Sequence, residues 1–533
     1  MTPTPDAGPL QVELYDTTLR DGAQGTGMSY SIEDRLRILH KVDQLGVPYI
    51  EGGWPGANPR DTEFFKLATK ETLQHATLTS FGMTRKAGER AGSSAVLREL
   101  LDTGTEVVCL VGKSSDVHVT EALHTDLDEG VAMVRDSVAF LRDQGRRVFF
   151  DAEHFFDGYR SNPRFAMLVL EAALEGGAER LVLCDTNGGM LPFDIASIVD
   201  EVRETIDARL GIHVHNDAGC AVANSLIAVD HGVFQVQGVV NGYGERTGNA
   251  DLIPIAANLV LKMGADCLPE GAVEHLTEVA HYVAEVANVA PDSHQPYAGR
   301  YAFTHKAGLH ASGVARFAEA YEHVPPESVG NRRGVVASDL GGAATLRMKA
   351  AEFGIEVPAG SVGGVLEELK AREARGYTFD AADASLELMM RRAAGWEQPF
   401  FSVESFRVHV EQRADEDEDA LAEATVKVVT NGTRHIESAE GHGPVGALDN
   451  ALRKALANEY PALAQMTLED YRVRVLDETH GTGAVVRVLL DTSNGEREWT
   501  TVGVSENIIE ASWEALTDAY LFGLLHPREA PED

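Results

Sequence analysis

Short apolar runs alternate with longer segments of helical period through the first 250 residues. The longer segments carry apolar residues at helical spacing, and the one at 31–46 begins with a serine and ends with a glycine, residues that commonly cap helices. Strands that alternate with helices pair in parallel through right-handed crossovers. The eight runs predict strands at 12–16, 47–52, 76–82, 106–112, 147–153, 180–185, 211–217 and 234–240.

Eight strand–helix units within about 240 residues predict an α/β fold, the closed (β/α)8 TIM barrel. The alternative is an open doubly wound sheet. A glycine-rich GxGxxG turn is typical of such sheets when they bind dinucleotides, and it is absent after the first predicted strand. This absence favours the barrel.

The pattern changes after residue 250. Residues 251–400 have mostly helical period and are broken by glycine- and proline-rich loops, so we interpret them as a helical connector rather than a second core. Beyond Phe400 an alternation typical of strands returns. The segments 424–456 and 484–520 share the layout strand, turn, strand, glycine, helix, which predicts two ββα repeats whose helices face a shared sheet.

The predicted organisation has five parts. The C-terminal α+β region contains no obvious nucleophile or metal pair, and by elimination we interpret it as regulatory or oligomeric. The predicted parts are a disordered lead-in at 1–10, a catalytic barrel at 11–290, a helical connector at 291–400, a C-terminal domain at 401–526 and a tail at 527–533.

Composition restricts the partners and the compartment. A formal net charge of −37 argues against nucleic acid or an anionic membrane surface as a general partner, so anionic substrates must be held by local cations or a metal. No run of 18 apolar residues predicts a membrane span, and the first residues lack the basic and apolar regions of a secretory signal. The four cysteines form no CxxC pair. We therefore expect a cytoplasmic protein with free thiols.

Polar side chains cluster where the predicted barrel strands end. In a parallel barrel these ends meet on one face, which is where reactive groups gather. The convergence of six strand ends therefore predicts a catalytic mouth. The polar residues at these ends are Asp16, Arg20, Asp21, Glu51, Glu153, His154, Asp185, Thr186, His213, His215 and the loop 241–249.

The HVH triplet predicts a metal site. His213 and His215 are two residues apart on a strand, so their side chains point to the same side and can share one ion. Two histidines hydrogen-bonded within the barrel are the alternative, but Asp21 offers a carboxylate as third ligand. Nitrogen and oxygen donors of this kind suit Mg²⁺, Mn²⁺ or Zn²⁺. A substrate that chelates through two oxygens could fill the open positions.

Four segments together identify a family resemblance. The segments 15–24 (YDTTLRDGAQ), 210–225 (LGIHVHNDAGCAVANS), 241–249 (NGYGERTGN) and 303–314 (FTHKAGLHASGV) resemble the acyltransferase family of 2-isopropylmalate, homocitrate and citramalate synthases, within the DRE-TIM metallolyase superfamily. The resemblance covers essentially the whole chain, and the repeats resemble that family's allosteric dimerisation domain. The segments 21–36, 51–61 and 151–159 are most similar to the citramalate branch.

The resemblance implies a role for each matching residue. Asp21, His213 and His215 match the metal ligands, and Asn249 matches a fourth ligand. Arg20 matches the residue that binds the oxygens of a 2-oxoacid, and Thr186 matches a contact to its carboxylate. Glu153 matches the active-site acid. His310, in the connector, matches the histidine implicated in enolisation of acetyl-CoA.

The implied reaction condenses acetyl-CoA with pyruvate and water to (R)-citramalate and CoA, which opens a threonine-independent route to isoleucine. A divalent metal, a homodimer and feedback by isoleucine follow from the same resemblance. The alternative substrate within the family is 2-oxoisovalerate, the leucine route. A lyase, a carboxyltransferase or a binding protein of the same fold is a further alternative, although a carboxyltransferase would use a carbamylated lysine and we find none at a predicted strand end.

The sequence departs from the family at two positions. Ser312 stands where some relatives carry an aspartate after the catalytic histidine, and Arg35 stands where a lysine is usual. We expect Arg35 at a surface or ion-pair position. Of the remaining polar residues, Asp16 is predicted to be structural, Glu51 and His154 to orient neighbours, His118 and His124 to lie on the surface, and Lys306 and Arg246 to contact CoA phosphates or form ion pairs.

Overall fold

The computed structural model describes residues 9–306, 310, 313–314, 316–335, 342–358, 360–396, 400–411, 421–476 and 484–528. They form two compact units. The first contains the described residues up to Phe303 together with Val324–Arg333, and the second contains those of Thr304–His323 and those from Gly334 onward.

The first unit is a closed barrel of eight parallel strands, β2 to β9, and this confirms the predicted fold class. A short parallel pair, β1 and β10, lies outside the barrel. The strands are β1 Leu10–Gln11, β2 Glu13–Asp16, β3 Tyr49–Glu51, β4 Thr77–Met83, β5 Val107–Lys113, β6 Arg147–Glu153, β7 Arg180–Asp185, β8 Leu210–Val214, β9 Gln235–Gly238 and β10 Ala265–Asp266. The helices are α1 Ile32–Leu45, α2 Pro59–Ala68, α3 Ala95–Asp102, α4 Leu127–Asp143, α5 Phe155–Ser161, α6 Pro163–Gly176, α7 Pro192–Thr205, α8 Ala221–Asp230, α9 Leu252–Leu261 and α10 Leu276–Val286.

Local sequence signals explain where α1 begins and ends. The Ser31 hydroxyl accepts a hydrogen bond from the Asp34 backbone N–H, and the Asp34 side chain accepts one from the Ser31 backbone, which completes a capping box. The helix ends at Gly46, whose φ of 91° favours glycine. Ile38, Leu39 and Val42 are fully buried in the core that packs the helices onto the barrel.

The second unit contains two antiparallel sheets of three strands each, β13–β14–β15 and β16–β17–β18. The predicted shared sheet was therefore wrong, because each ββα repeat is preceded by a third strand that pairs with its own repeat. The elements are β11 Thr304–His305, β12 Gly334–Val335, α11 Ala343–Glu352, α12 Val362–Ala374, α13 Asp383–Ala393, β13 Phe401–Glu411, β14 Leu421–Thr430, β15 Thr433–Gly441, α14 Pro444–Leu456, β16 Thr467–Val475, β17 Val486–Ser493, β18 Glu498–Ser505 and α15 Ile508–Leu525.

The helices α11 to α13 have a hydrophobic cluster of their own. Leu346, Leu369 and Leu386 from these helices are buried together with Val502 and Val504 of β18. The segment interpreted as a connector without a core thus packs onto the C-terminal sheet of the same unit. Across the described ranges, no helix combines the length and the apolar character needed to cross a membrane.

Loss of the α1 cap should lower stability. We expect Ser31→Ala to reduce the free energy of unfolding by about 1 kcal/mol, because the backbone N–H of Asp34 loses its acceptor. Ser94→Ala is the matched control: Ser94 occupies the same position at the start of α3, but its buried hydroxyl has no hydrogen-bond partner in the described part of the chain. Urea unfolding followed by circular dichroism measures both. Equal losses in the two variants would contradict the assignment of the cap.

Candidate functional site

The carboxyl ends of the barrel strands enclose a polar cavity of 140 Å³. Its walls come from the ends of β2, β4, β5, β6, β7 and β8 and from the loops that follow them. The structure thus brings six of the sequence-predicted site residues to one place. They are Arg20, Asp21, Glu153, Thr186, His213 and His215.

Asp21, His213 and His215 form the cluster predicted for a metal ion. All three are buried, and one potential ligand atom of each lies within 4.8 Å of those of the others. The Oδ2 atom of Asp21 is 3.2 Å from Nε2 of His213. Burial opposes ionisation of Asp21, but Arg20 and the histidines outweigh it and hold its pKa well below its usual range. Burial and the neighbouring His213 lower the pKa of His215 to about 4.

Asn249 lies beside this cluster and has an unused oxygen. It is 2% exposed and forms a backbone bridge with His215. Its Nδ2 donates to the carbonyl of Tyr243 at 3.0 Å, whereas its buried Oδ1 has no hydrogen-bond partner among the residues that the structure describes. A buried acceptor without a partner is costly and calls for a ligand. Two imidazoles, a carboxylate and a free amide oxygen fit a divalent cation.

The glycines of the loop 241–249 create the space that Asn249 occupies. Gly244 has a φ of 141°, and a Cβ at this position would lie 2.2 Å from Nδ2 of Asn249. Gly248 has a φ of 90°, and its Cβ would lie 1.9 Å from the carbonyl oxygen of Gly242. Only glycine allows the loop to close over the asparagine in this way.

Arg20 is held rigidly at the edge of the cavity. Its Nε donates to the buried carboxylate of Glu51, its Nη1 is 3.1 Å from Oδ2 of Asp21, and its guanidinium carbon lies 3.9 Å from the ring centroid of Phe81. Tyr15 donates to Glu51 at 2.8 Å from the other side. The prediction that Glu51 orients a neighbour is thus confirmed by the contact, and among the described residues Nη2 of Arg20 is left without a hydrogen-bond acceptor.

Glu153 forms an ion pair that the sequence did not reveal. Lys113 is the register partner of Glu153 on the adjacent strand, and its Nζ is 2.5 Å from the Glu153 Oε2. The prediction that no lysine stands at a strand end was wrong, because β5 continues one residue beyond the apolar run.

Three loops at the mouth are joined by Arg246. Its Nε and Nη2 donate to the two carboxylate oxygens of Asp217 at 2.8 and 2.9 Å, and Nη2 also donates to the carbonyl of Thr186. The hydroxyl of Thr186 accepts from the backbone N–H of His154 at 2.9 Å. In the second unit, Lys306 pairs with Asp380 at 2.7 Å. Both cations proposed as CoA contacts therefore form ion pairs.

One predicted surface position is corrected, and at another position the predicted alternative of an ion pair is confirmed. The His118 ring packs on the His154 ring with centroids 3.9 Å apart, and within the described ranges the buried Nδ1 atoms of both have no hydrogen-bond partner. Arg35 is 4% exposed, pairs with Asp61 at 2.6 Å and donates to the carbonyl of Gly52. Arg35 is thus a buried ion-pair residue, and His118 is half-buried rather than on the surface. His124 is exposed, as predicted.

The remaining predicted residues have separate settings. Asp16 is fully buried and accepts from the hydroxyl of Thr18 at 2.6 Å, which fits a structural role, and burial raises its pKa to about 7. His310 belongs to the second unit, is exposed, and has its ring 5.0 Å from that of Tyr321. Ser312 lies outside the described residues.

Sequence reasoning missed two further buried polar residues beneath the cavity. Asp151 lies on β6 and Gln237 on β9, and they are hydrogen-bonded to each other at 3.0 Å. The available signal was the polar residue inside an otherwise apolar strand, in FFDAE and in FQVQG. Such residues must find partners inside the barrel.

Comparisons with known proteins agree over the whole chain. Residues 11–283 match a family model described as HMGL-like, residues 298–376 one described as homocitrate synthase post-HMGL domain-like, and residues 380–522 one described as the LeuA allosteric (dimerisation) domain. The (R)-citramalate synthase of Streptomyces coelicolor is 52% identical over 98% of each chain. That of Synechocystis is 49% identical over 96% of each chain. A probable 2-isopropylmalate synthase of Methanopyrus kandleri is 32% identical over 95% of this chain and 97% of its own.

The half-buried His154 should make stability depend on pH. Burial, with a contribution from His118, lowers its pKa from 6.5 to about 4. Between these values the unfolded chain binds a proton that the folded chain does not, so the free energy of unfolding falls as the pH falls from 6.5 to 4. We expect His154→Gln to reduce this slope. Urea unfolding at pH 7 and pH 4.5 measures it, and an unchanged difference between the two pH values would contradict the prediction.

Proposed function

The chain belongs to the family of the (R)-citramalate synthases, and from that premise we propose that it condenses acetyl-CoA with pyruvate and water to (R)-citramalate and CoA. The observation that carries the proposal is the small cavity in which a cation-binding cluster faces the rigid Arg20. A 2-oxoacid offers a carbonyl oxygen and a carboxylate oxygen to such a site. The product would enter isoleucine synthesis by the pyruvate route, in the cytoplasm.

Asp21, His213, His215 and Asn249 would hold a divalent ion, with Mg²⁺, Mn²⁺ and Zn²⁺ all suited to the donors. When bound, the ion supplies a Lewis acid that polarises the carbonyl of the 2-oxoacid. Arg20 binds the oxygens of the 2-oxoacid through its free Nη2, and the hydroxyl of Thr186 donates to the carboxylate. Because Glu51 and Phe81 hold the guanidinium in place, its charge needs no reorganisation during the reaction.

Carbon–carbon bond formation requires a base that removes a proton from the methyl group of the thioester. Glu153 lines the cavity and is held by Lys113, so its carboxylate is positioned to accept or relay that proton. His310 is the second candidate, by its match to the histidine implicated in enolisation. Water then hydrolyses the thioester, which makes the condensation irreversible.

Acetyl-CoA is much longer than the 2-oxoacid and needs its own path to the cavity. A cleft of 660 Å³ shares Arg20 and Gln24 with the cavity and continues between the loops after β2 and β3. Its outer part carries the exposed Arg60, whereas the carboxylate of Asp61 is already paired with Arg35. This excess of local positive charge supports the proposal that the phosphate-bearing part of CoA lies in the cleft, even though the net charge of the whole chain is negative.

The C-terminal domain supports a regulated homodimer. Residues 380–522 match an allosteric dimerisation domain, and a pathway that ends in isoleucine is commonly controlled by its product. We therefore propose isoleucine as the feedback effector that binds this domain. The exposed apolar residues of β16, among them Tyr471 and Val473, are consistent with a further contact surface in the second unit.

A panel of 2-oxoacids tests the proposed activity. Purified enzyme is supplied with acetyl-CoA, Mn²⁺ and pyruvate, 2-oxobutanoate or 2-oxoisovalerate, and free thiol is followed with a chromogenic disulfide. We expect pyruvate to give the highest kcat/KM, because each additional methylene must be accommodated in the small cavity at a cost of about 1–3 kcal/mol. A preference for 2-oxoisovalerate would make the protein a 2-isopropylmalate synthase instead.

Asn249 offers a test of the proposed fourth ligand. We expect Asn249→Ala to weaken Mn²⁺ binding to the metal-free enzyme by about tenfold or more, because the amide oxygen is lost. Asn187→Ala is the control, since Asn187 is also at the mouth but is exposed and donates to Asp157. Isothermal titration measures both affinities. Binding by Asn249→Ala that equals the control would remove Asn249 from the ligand set.

A further inference from the structure

Three buried side chains form a chain of hydrogen bonds across the barrel interior, directly beneath the metal cluster. Asp151 of β6, Gln237 of β9 and His213 of β8 are 3%, 0% and 6% exposed. Nε2 of Gln237 donates to Oδ1 of Asp151 at 3.0 Å, and Oε1 of Gln237 lies 2.9 Å from Nδ1 of His213. The chain ends at one of the three residues of the metal cluster.

The direction of these hydrogen bonds follows from the donor that meets Asp151. The amide nitrogen of Gln237 faces its carboxylate, which therefore acts as the acceptor. An amide has one donor end and one acceptor end, so with its nitrogen facing Asp151 its oxygen must face His213. The imidazole must then carry its proton on Nδ1.

The other ring nitrogen of His213 is the one that faces the cluster. Nε2 lies 3.2 Å from Oδ2 of Asp21, and with the proton on Nδ1 its lone pair is available to a cation between them. His215 differs, since its buried Nδ1 has no hydrogen-bond partner in the part of the chain that the structure describes. The hydrogen bond to Gln237 thus fixes the tautomer of His213 before an ion binds. The tautomer of His215 would be set only when the ion binds.

We propose that Asp151 and Gln237 are positioning residues that lock His213 in the Nδ1–H tautomer, so that Nε2 is presented to the divalent ion. The proposal rests on the proposed metal site and extends it beyond the ligands themselves. It also gives a role to two buried polar side chains of the barrel strands. Their hydrogen bonds satisfy each other and the histidine, which makes their burial tolerable.

The hydrogen bonds that run from Asp151 through Gln237 to His213 are called the relay below. Its removal should weaken metal binding even when no substrate is present. We expect Gln237→Met, which keeps the length of the side chain but not its hydrogen bonds, to weaken Mn²⁺ binding to the metal-free enzyme by about 10–100-fold. Gln235→Met is the matched control. Gln235 is equally buried on the same strand, but its amide donates to Glu13 at 3.3 Å, away from His213. Isothermal titration gives the affinities, and circular dichroism melting checks that each variant folds.

Exchanging the carboxylate of Asp151 and the amide of Gln237 distinguishes a positioning role of these residues from a purely structural one. Gln237→Glu alone places two carboxylates together and should weaken binding. In the double variant D151N/Q237E the new amide donates to the new carboxylate, whose other oxygen can again accept from Nδ1 of His213. We expect the double variant to recover Mn²⁺ affinity to within a few-fold of the wild type, although neither original residue is present.

Three results would overturn the proposal. They are a Gln237→Met affinity within twofold of the wild type, equal losses in Gln237→Met and Gln235→Met, and a double variant no better than Gln237→Glu alone. The outcome is separate from that of the oxoacid panel, because it is read from metal binding alone. A wild-type chain that binds no Mn²⁺, Mg²⁺ or Zn²⁺ would instead overturn the metal site on which the relay acts.

Discussion

The charge of Arg20, held between the carboxylates of Glu51 and Asp21, is the interaction on which the site depends. Charges buried this deeply persist only when they are paired, and removal of one partner typically costs about 3–5 kcal/mol. The pairing fixes the ends of β2 and β3 relative to each other, and the ring of Phe81 adds β4. It also keeps Asp21 ionised, which a cation ligand requires. The geometry of the metal cluster thus rests on a cation that the protein itself provides.

The distribution of charge at the mouth explains how an acidic protein can bind anionic substrates. The chain carries a net charge of −37, yet the cavity and the adjoining cleft are lined by Arg20, Arg246 and Arg60, and Lys113 pairs with Glu153 of the cavity wall. Lys113 and Arg246 are paired with acidic residues, so their charge stabilises the walls rather than the substrate. Arg20 and a bound ion remain as the positive centres inside the cavity. The cavity lining also carries carboxylates, so the positive charge that an anionic substrate needs would come from Arg20 and from an ion held by the metal cluster.

The barrel and most of the site were predictable from the sequence because each depends on local periodicity or on motifs at strand ends. The strands, the α1 cap and the group formed by Arg20, Asp21, His213 and His215 agree with the structure. Lys113 was missed because a strand boundary shifted by one residue. The stacking of His118 on His154, the burial of Arg35 and the relay through Gln237 arise from packing between distant segments. No pattern within one segment contains that information, and the third strand of each C-terminal sheet was missed for a similar reason.

The hydrogen bonds from Arg246 to Asp217 and Thr186 restrict where a substrate can enter the mouth of the barrel. They clamp the loops after β7, β8 and β9 into one body, and backbone hydrogen bonds between Ala218 and Gly188 and between Asn216 and Gly248 reinforce them. The loops after β2 and β3 instead border the open cleft. Hydrogen bonds thus join the loops in one half of the rim, whereas the other half borders an open cleft. The half that borders the cleft is therefore the part of the rim at which we propose that the substrates enter.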